Sequence, residues 1–201
     1  LSEWANFRGT LSTSGWSGIG GQTNNPYVLD RNPCGSSSGS GVAVSANLCM
    51  VGIGTETNGS IVCPSTTNGI AGIKPTVGLV SRDGIIPISF TQDTPGPMAR
   101  TLEDAAICLG VLTGDDPADS LTTQQDKKSF TDYTAFLKEN GLEGKRIGFY
   151  KKPLGTHYKV DSVMYRAKEF LESRGAEVIE IETITDQTIN DWSFTPMLYQ
   201  F

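Results

Sequence analysis

A single histidine, His157, and the lack of any lysine before Lys74 limit the acid–base chemistry that this sequence can support. A serine nucleophile needs a neighbouring base to take its proton, and histidine and lysine are the usual ones. A Ser–His–Asp site would therefore depend on His157 alone. The sequence also lacks any apolar run that approaches the roughly 18 residues needed to span a bilayer.

Basic residues and cysteines are scarce as well. The chain has 16 Lys and Arg against 22 Asp and Glu, a net charge of −6, which argues against nucleic acid or an anionic membrane as a partner. The four cysteines show no C-x-x-C spacing: they are Cys34, Cys49, Cys63 and Cys108. A zinc site and a small disulfide scaffold are both disfavoured. We therefore expect reduced thiols, a cytoplasmic protein and no bound metal.

Glycine, by contrast, is abundant, with 23 residues that concentrate in the first half of the chain. Such a half must be dense in turns or close backbone approaches. The length of 201 residues fits one domain or part of a larger one. Because the chain starts without methionine and stops within "PMLYQF", we interpret it as an internal piece of a longer protein.

Periodicity and turn residues predict an α/β protein. The clearest helix is "TLEDAAICLGVLTG", with Thr101 as N-cap and Gly114 after the last turn. A strand–helix–strand unit is predicted from "KRIGFY", residues 162–174 and "AEVIEIE". Short strands are predicted in "MVGIGTET", "GIAGIKPTVGLVS" and "GIIPIS". The stretch "SSGSGVAVSANL" alternates like a strand, but its small residues favour a tightly buried helix.

Two Gly/Ser-rich stretches, "CGSSSGSG" and "GTETNGSIVCP", carry the candidate chemistry. The first contains a G-x-S-x-G match centred on Ser37, which would need His157 as base, although such short matches are frequent in glycine-rich loops. Lys74 is the lysine nearest to these serines, and we interpret it as structural or surface-directed. The second stretch, read alone, also fits a simple turn built on Asn58 and Gly59.

Taken together, the two stretches resemble the amidase signature family, whose pattern is a G-G-S-S-G-G-S run followed by G-T-D-x-G-G-S-I-R-x-P. The segments "NGIAGIKPTVGLVSRDGIIP" and "TQDTPGPMARTLEDAA" extend the resemblance, which is dense over residues 1–114. It implies an α/β fold with a mixed central β-sheet flanked by helices. The whole of 1–201 would be an internal fragment of one such domain, with 1–114 as the signature core and 115–201 as a following α/β segment.

The resemblance also implies a Ser–Ser–Lys triad in place of Ser–His–Asp. Ser60 would be the nucleophile, and Ser36, which would follow a cis Gly35–Ser36 peptide bond, would relay its proton to a lysine. Gly35 would relieve crowding at that bond, and Ser37 would donate a supporting hydrogen bond. Backbone N–H groups of the second stretch would form the oxyanion hole, at Thr57, Asn58, Gly59 and Ser60.

The match departs from the family pattern where the lysine should be. No lysine precedes Ser36, and arginine cannot replace it because it stays protonated. We expect the lysine to lie upstream in the natural protein and this stretch alone to be inactive; a catalytically dead remnant is the alternative.

Smaller departures concern specificity. Glu56, Asn58 and Val62 replace the usual Asp, Gly and Arg, and favour the bacterial peptide amidase branch over glutamyl-tRNA amidotransferase subunits. Asp93 would either line the substrate pocket or cap a turn.

The implied reaction is hydrolysis of a carboxamide to a carboxylate and ammonia through an acyl-enzyme, with C-terminal amides of peptides as candidate substrates. The partner would be a small-molecule or peptide amide, and no organic cofactor is implied. An amidotransferase-like subunit is the alternative. The sequence does not determine an oligomeric state.

Overall fold

A three-stranded antiparallel sheet lies at the centre of the N-terminal part of the protein. The computed structural model describes residues 14–124 and 129–184. These residues form two compact units, one extending to Thr134 and the other starting at Ala135. Each unit combines helices with paired strands, which confirms the predicted α/β class.

Short strands and helices alternate in the first unit. In chain order they are β1 (Trp16–Ser17), β2 (Gly21–Gln22), α1 (Ser38–Ser45), β3 (Val51–Glu56), α2 (Val62–Thr67), β4 (Ala71–Gly72), β5 (Thr94–Ala99) and α3 (Leu102–Leu112). Strand β5 is central and pairs with β3 on one side and β4 on the other. The helical interpretation of "SSGSGVAVSANL" is confirmed by α1.

Strand β5 is not predicted from the sequence "TPGPMA", because Pro95 and Pro97 lack the N–H groups that a central strand donates. Its register explains why the prolines are tolerated. The Ile73 N–H donates to the carbonyl of Pro97 at 3.0 Å, so the proline positions face β4 rather than β3. Strand β4 pairs with only the last two residues of β5, whereas β3 pairs along its whole length. The absence of N–H groups at the two prolines therefore does not interrupt the hydrogen bonds between β5 and β3.

The core of this unit lies between the sheet and helices α1 and α3. All six residues of β5 are buried, and Met98 is 0% exposed. Helix α1 approaches β3 closely, since a Cβ on Gly54 would lie 2.8 Å from both Met98 Sδ and Ser37 Oγ. The predicted cap of α3 is confirmed, because Thr101 Oγ1 accepts from the Asp104 N–H at 3.0 Å.

The strand predicted for "GIIPIS" is wrong: residues 84–89 form a loop. The N–H groups of Ile88 and Ser89 donate to the carboxylate of Asp93 instead of to a neighbouring strand. The buried Asp93 side chain thus accepts the hydrogen bonds that these N–H groups would have donated to a neighbouring strand.

The second unit contains β6 (Arg146–Tyr150), α4 (Tyr158–Ser173) and β7 (Glu177–Ile181), and a 3-10 helix at Thr134–Phe136 spans the boundary between the units. Strands β6 and β7 pair in parallel, as the strand–helix–strand pattern predicts. Helix α4 starts four residues before the predicted residue 162. None of the helices among the described residues is long and apolar enough to cross a membrane.

The expectation of four reduced thiols is wrong for two of them. Cys34 and Cys63 form a disulfide, with their Cα atoms 5.9 Å apart and a sequence separation of 29. Cys49 and Cys108 are free. Spacing along the chain does not reveal this pair, because the fold brings the segment before α1 against the first turn of α2. Cysteine usage therefore no longer supports a reducing cytoplasm.

We expect Met98→Ala to destabilise the full-length protein by about 2–5 kcal/mol, because it leaves a cavity beneath the central strand. Met50→Ala is the matched control, since that side chain is 73% exposed and should change stability by less than about 0.5 kcal/mol. Chemical denaturation of both variants measures the difference. Equal losses would contradict the placement of Met98 in the core.

Candidate active site

Ser36 lies between β2 and α1, immediately after a cis peptide bond that joins it to Gly35. The sequence predicts this cis linkage, and the structure confirms it. The Ser36 Oγ atom is buried and has no hydrogen-bond partner among the described residues. A buried hydroxyl without a partner is unusual in a folded protein and marks a place where another polar group belongs.

Ser60 lies in the turn between β3 and α2 and is half-buried. The backbone brings it next to the Ser36 segment, because the Ser37 N–H donates to the Ser60 carbonyl at 3.2 Å. We call residues 34–38 and 56–63 together the serine junction. The two predicted catalytic serines therefore belong to adjoining segments, although their hydroxyls are not hydrogen-bonded to each other in the described structure.

The carboxylate of Glu56 organises the Ser60 turn. It is 4% exposed and accepts three backbone N–H groups: Gly59 at 2.8 Å, Ile61 at 2.7 Å and Val62 at 3.0 Å. Gly59 itself has φ +84°, a conformation that favours glycine. In the sequence, Glu56 stands out only as a replacement for Asp. An acidic residue shortly before a helix, followed by Asn-Gly, is the signal that could have revealed this role.

Of the four N–H groups predicted to form the oxyanion hole, one is bonded to Glu56 and three are not. The Gly59 N–H is already bonded to the Glu56 carboxylate. The N–H groups of Thr57, Asn58 and Ser60 have no acceptor within the described part of the chain. Free backbone donors in one tight turn are what a developing oxyanion requires.

Ser37 has a structural bonding pattern. Its hydroxyl donates to the Thr55 carbonyl at 3.1 Å and accepts from the Thr55 N–H at 3.0 Å, so it links α1 to β3. His157, the base that a Ser37 nucleophile would need, is exposed in the second unit and stacks on Tyr158. Lys74 is also exposed. The nucleophile-elbow interpretation gains no support from these contacts.

Asp93 connects the Ser60 turn to the loop that replaces the predicted "GIIPIS" strand. One carboxylate oxygen accepts from Thr57 Oγ1, and the other accepts from the N–H groups of Ile88 and Ser89 at 2.7 and 2.9 Å. Asp93 is 7% exposed and also borders a small cavity, together with Glu56, Thr57, Arg82, Ile85, Ile86 and Ile88. Asp93 thus caps a turn and borders a cavity at the same time.

The far end of that loop is held by a buried ion pair. Arg82 donates through Nε and Nη2 to the two carboxylate oxygens of Asp119, at 2.7 and 2.6 Å, and its guanidinium lies 4.5 Å from the centre of the Phe90 ring. The hydrogen bonds from Arg82 hold the pKa of Asp119 well below its ordinary value. In the ranges 14–124 and 129–184, no group of three or more His, Cys, Asp or Glu side chains is placed to hold a metal ion.

Residues 1–200 match the Amidase family. The chain belongs to the amidase signature family. A probable amidase of Arabidopsis thaliana is 50% identical to it over 153 residues, covering 76% of this chain and 30% of the relative. The structure of native peptide amidase from Stenotrophomonas maltophilia aligns with a TM-score of 0.92 and 53% identity, over 100% of this chain and 41% of that one.

A glutamyl-tRNA(Gln) amidotransferase subunit of Desulforapulum autotrophicum is 39% identical to this family member over 162 residues, covering 79% of this chain and 33% of that relative. The chain therefore spans about a third of the length of these curated relatives. It has the amidase signature fold and corresponds to part of that domain, as the resemblance implies. The relatives come from a plant as well as from bacteria, so the similarity does not restrict the chain to a bacterial branch.

Replacing Glu56 with Ala should release three N–H groups of the Ser60 turn. We expect the amides of Gly59, Ile61 and Val62 to exchange with deuterium faster, and the free energy of unfolding to fall by about 2–4 kcal/mol, because bonds to a charged acceptor are strong. Hydrogen exchange and denaturation of the full-length protein measure both effects. Glu139→Ala, at an exposed position, is the control. A similar change in exchange and stability in that variant would contradict the role of Glu56 in holding the turn.

Because of the Arg82–Asp119 pair, we expect the free energy of unfolding to fall at acidic pH. Since the folded pKa of Asp119 is lowered, its stabilising contribution is complete above the unfolded value of about 3.9 and is lost as the pH falls toward the folded value. Asp119→Asn should cost about 3 kcal/mol at pH 7 and should flatten the decline in stability below about pH 5. Denaturation curves from pH 7 to 3 test this. The exposed Asp83→Asn variant should follow the wild type throughout.

Proposed function

We propose that this chain carries the nucleophile and the bridging serine of an amidase that hydrolyses a carboxamide to a carboxylate and ammonia. The observation that supports it most is the buried, unpartnered Ser36 hydroxyl in a segment bonded to that of Ser60. A buried hydroxyl without a partner suits a proton relay whose other hydrogen-bonding groups belong to the substrate and to the rest of the enzyme. Membership of the amidase signature family is consistent with this reaction.

In the proposed mechanism Ser60 Oγ attacks the amide carbonyl carbon, and its proton passes through the Ser36 hydroxyl to an amine base. We propose that this base is a lysine outside the given sequence, because the Ser36 hydroxyl has no hydrogen-bond partner among the described residues. The base returns the proton to the amide nitrogen, the C–N bond breaks and ammonia leaves. Water then attacks the acyl-enzyme, which releases the carboxylate and restores the Ser60 hydroxyl. Ser37 supports the relay by fixing the start of α1 against β3, and Gly35 supports it by forming the cis linkage that precedes Ser36.

Negative charge on the carbonyl oxygen would be stabilised by backbone N–H groups of the Ser60 turn. Of the four donors proposed from the sequence, Thr57, Asn58 and Ser60 have their N–H groups available. Gly59 can contribute only by exchanging its bond to Glu56 for one to the oxyanion. We propose that Glu56 instead sets the shape of the turn from which the other three donate.

The proposed substrate is a small-molecule or peptide amide, with C-terminal carboxamides of peptides as the preferred class. Support comes from the 53% identity to a peptide amidase over the entire chain. We propose that Asp93, which borders a small cavity with Ile85, Ile86 and Ile88, lies beside the bound substrate. No nucleic acid or membrane partner is proposed, and no cofactor takes part.

A role as one chain of a transamidase is the second candidate, favoured by the 39% identity to a component of an amidotransferase. Val62 stands where the family pattern has the arginine that such components typically carry. One assay distinguishes the two candidate functions. The purified full-length protein alone should release ammonia from a peptide carboxamide, whereas a transamidase component would need a partner chain and would prefer glutamine.

Ser60→Ala should abolish ammonia release and remove labelling by a fluorophosphonate probe, because the nucleophilic oxygen is gone. Ser36→Ala should lower kcat by at least about 100-fold, since general acid–base transfer contributes 10²–10⁴-fold. Ser40→Ala is the matched control from the same Gly/Ser stretch: its hydroxyl donates to the Ile53 carbonyl, and its activity should stay near that of the wild type. Labelling that persists in Ser60→Ala would rule out this nucleophile.

A further inference from the structure

The serine junction contains a covalent bond that the proposed reaction does not use. Cys34 lies two residues before Ser36, and Cys63 lies three residues after Ser60. The disulfide between them ties together the two segments that carry the reacting hydroxyls. Both cysteines are half-buried in this chain.

Hydrogen bonds also hold the two segments near each other, and the Ser37 hydroxyl makes two of them with Thr55, next to Glu56. The Ser37 N–H to Ser60 carbonyl bond, at 3.2 Å, is long for a backbone hydrogen bond. Asn68, which is 0% exposed, bridges the chain just outside the cysteines by donating to the carbonyls of Pro33 and Pro64. The Ser36 Oγ itself has no hydrogen bond among the described residues that could fix its position. Its placement therefore depends on the backbone on both sides of it, which the disulfide holds at Cys34 and the Thr55 bonds hold at Ser37.

We propose that Cys34 and Cys63 are positioning residues whose disulfide holds the Ser36 hydroxyl within reach of Ser60. This inference rests on the amidase function proposed above. Reduction of the bond removes the constraint at Cys34, and the relay then loses its alignment while the contacts of Asp93 with Thr57 and Ile88 remain in place. The expected effect is thus on kcat rather than on KM.

The reducing step is thiol–disulfide exchange with a dithiol. One thiolate of the dithiol attacks a sulfur of the Cys34–Cys63 bond and forms a mixed disulfide, and the second thiolate then closes the reagent into its own cyclic disulfide. Two electrons and two protons pass to the protein, which gains two free thiols. Exchange with an excess of a small disulfide such as oxidised glutathione reverses the change, because that reagent takes up the two electrons and two protons.

The first test compares the full-length protein as purified with the same protein after treatment with dithiothreitol. Reduction should lower kcat for a peptide carboxamide by at least about tenfold, because small displacements of reacting groups are costly to rate, and should leave KM within about twofold. Removal of the dithiol and reoxidation should restore kcat. Mass spectrometry of the peptides that contain Cys34 and Cys63 verifies that this bond was the one reduced.

Variants separate this bond from other thiol chemistry. Cys34→Ser with Cys63→Ser should have the low kcat of the reduced protein whether or not dithiol is present. Cys49→Ser with Cys108→Ser, which removes the free cysteines, should retain the full response. A double variant at Cys34 and Cys63 that is less heat-stable but turns over at the wild-type rate would show a merely structural disulfide and would overturn the proposal.

Hydrogen exchange provides a measurement that does not depend on activity. On reduction, the Ser37 amide should exchange faster, while the amides of α3 should not change. If the oxidised protein hydrolyses no amide yet Ser37 exchange responds to reduction, the amidase proposal fails, while the constraint that the disulfide places on the Ser37 segment stands. If amide hydrolysis is present and neither kcat nor exchange responds after verified reduction, only the disulfide inference fails.

Discussion

The buried carboxylate of Glu56 is the contact on which the rest of the serine junction depends. It gathers three backbone N–H groups of one short turn, at Gly59, Ile61 and Val62, and so determines where Ser60 lies. Because the acceptor is charged and nearly inaccessible to water, these bonds are strong and their loss is costly. The N–H groups that Glu56 does not engage are the ones left available to a negatively charged oxygen.

The sheet and α1 place Ser36 beside this turn. Strand β3 leads directly into the turn, and its Thr55 is bonded on both backbone groups to the Ser37 hydroxyl at the start of α1. The fully buried β5 supports β3 along its whole length. The core of the first unit therefore determines the relation between two serines that lie far apart in sequence, and the Cys34–Cys63 disulfide adds a covalent constraint to the same relation.

Local patterns predicted several features correctly. The cap of α3 at Thr101 depends on residues within one helical turn, and the β6–α4–β7 unit depends on clear periodicity. The cis Gly35–Ser36 bond followed from a family motif. Strand β5 could not be predicted in this way, because Pro95 and Pro97 are acceptable only given the side on which β4 pairs. The "GIIPIS" strand failed for the converse reason, since the carboxylate of Asp93 captured its donors.

The sequence alone determined the fold class and the family, because motif residues and hydrophobic periodicity act over short stretches of chain. Only the tertiary structure decided that Cys34 and Cys63 are bonded, that Glu56 holds the Ser60 turn and that the Ser36 hydroxyl is buried without a partner among the described residues. Each of these features depends on which distant segments of the chain come into contact. Burial then makes a hydrogen bond strong where a polar group has a partner and leaves the group unsatisfied where it has none. A one-dimensional pattern does not contain that information.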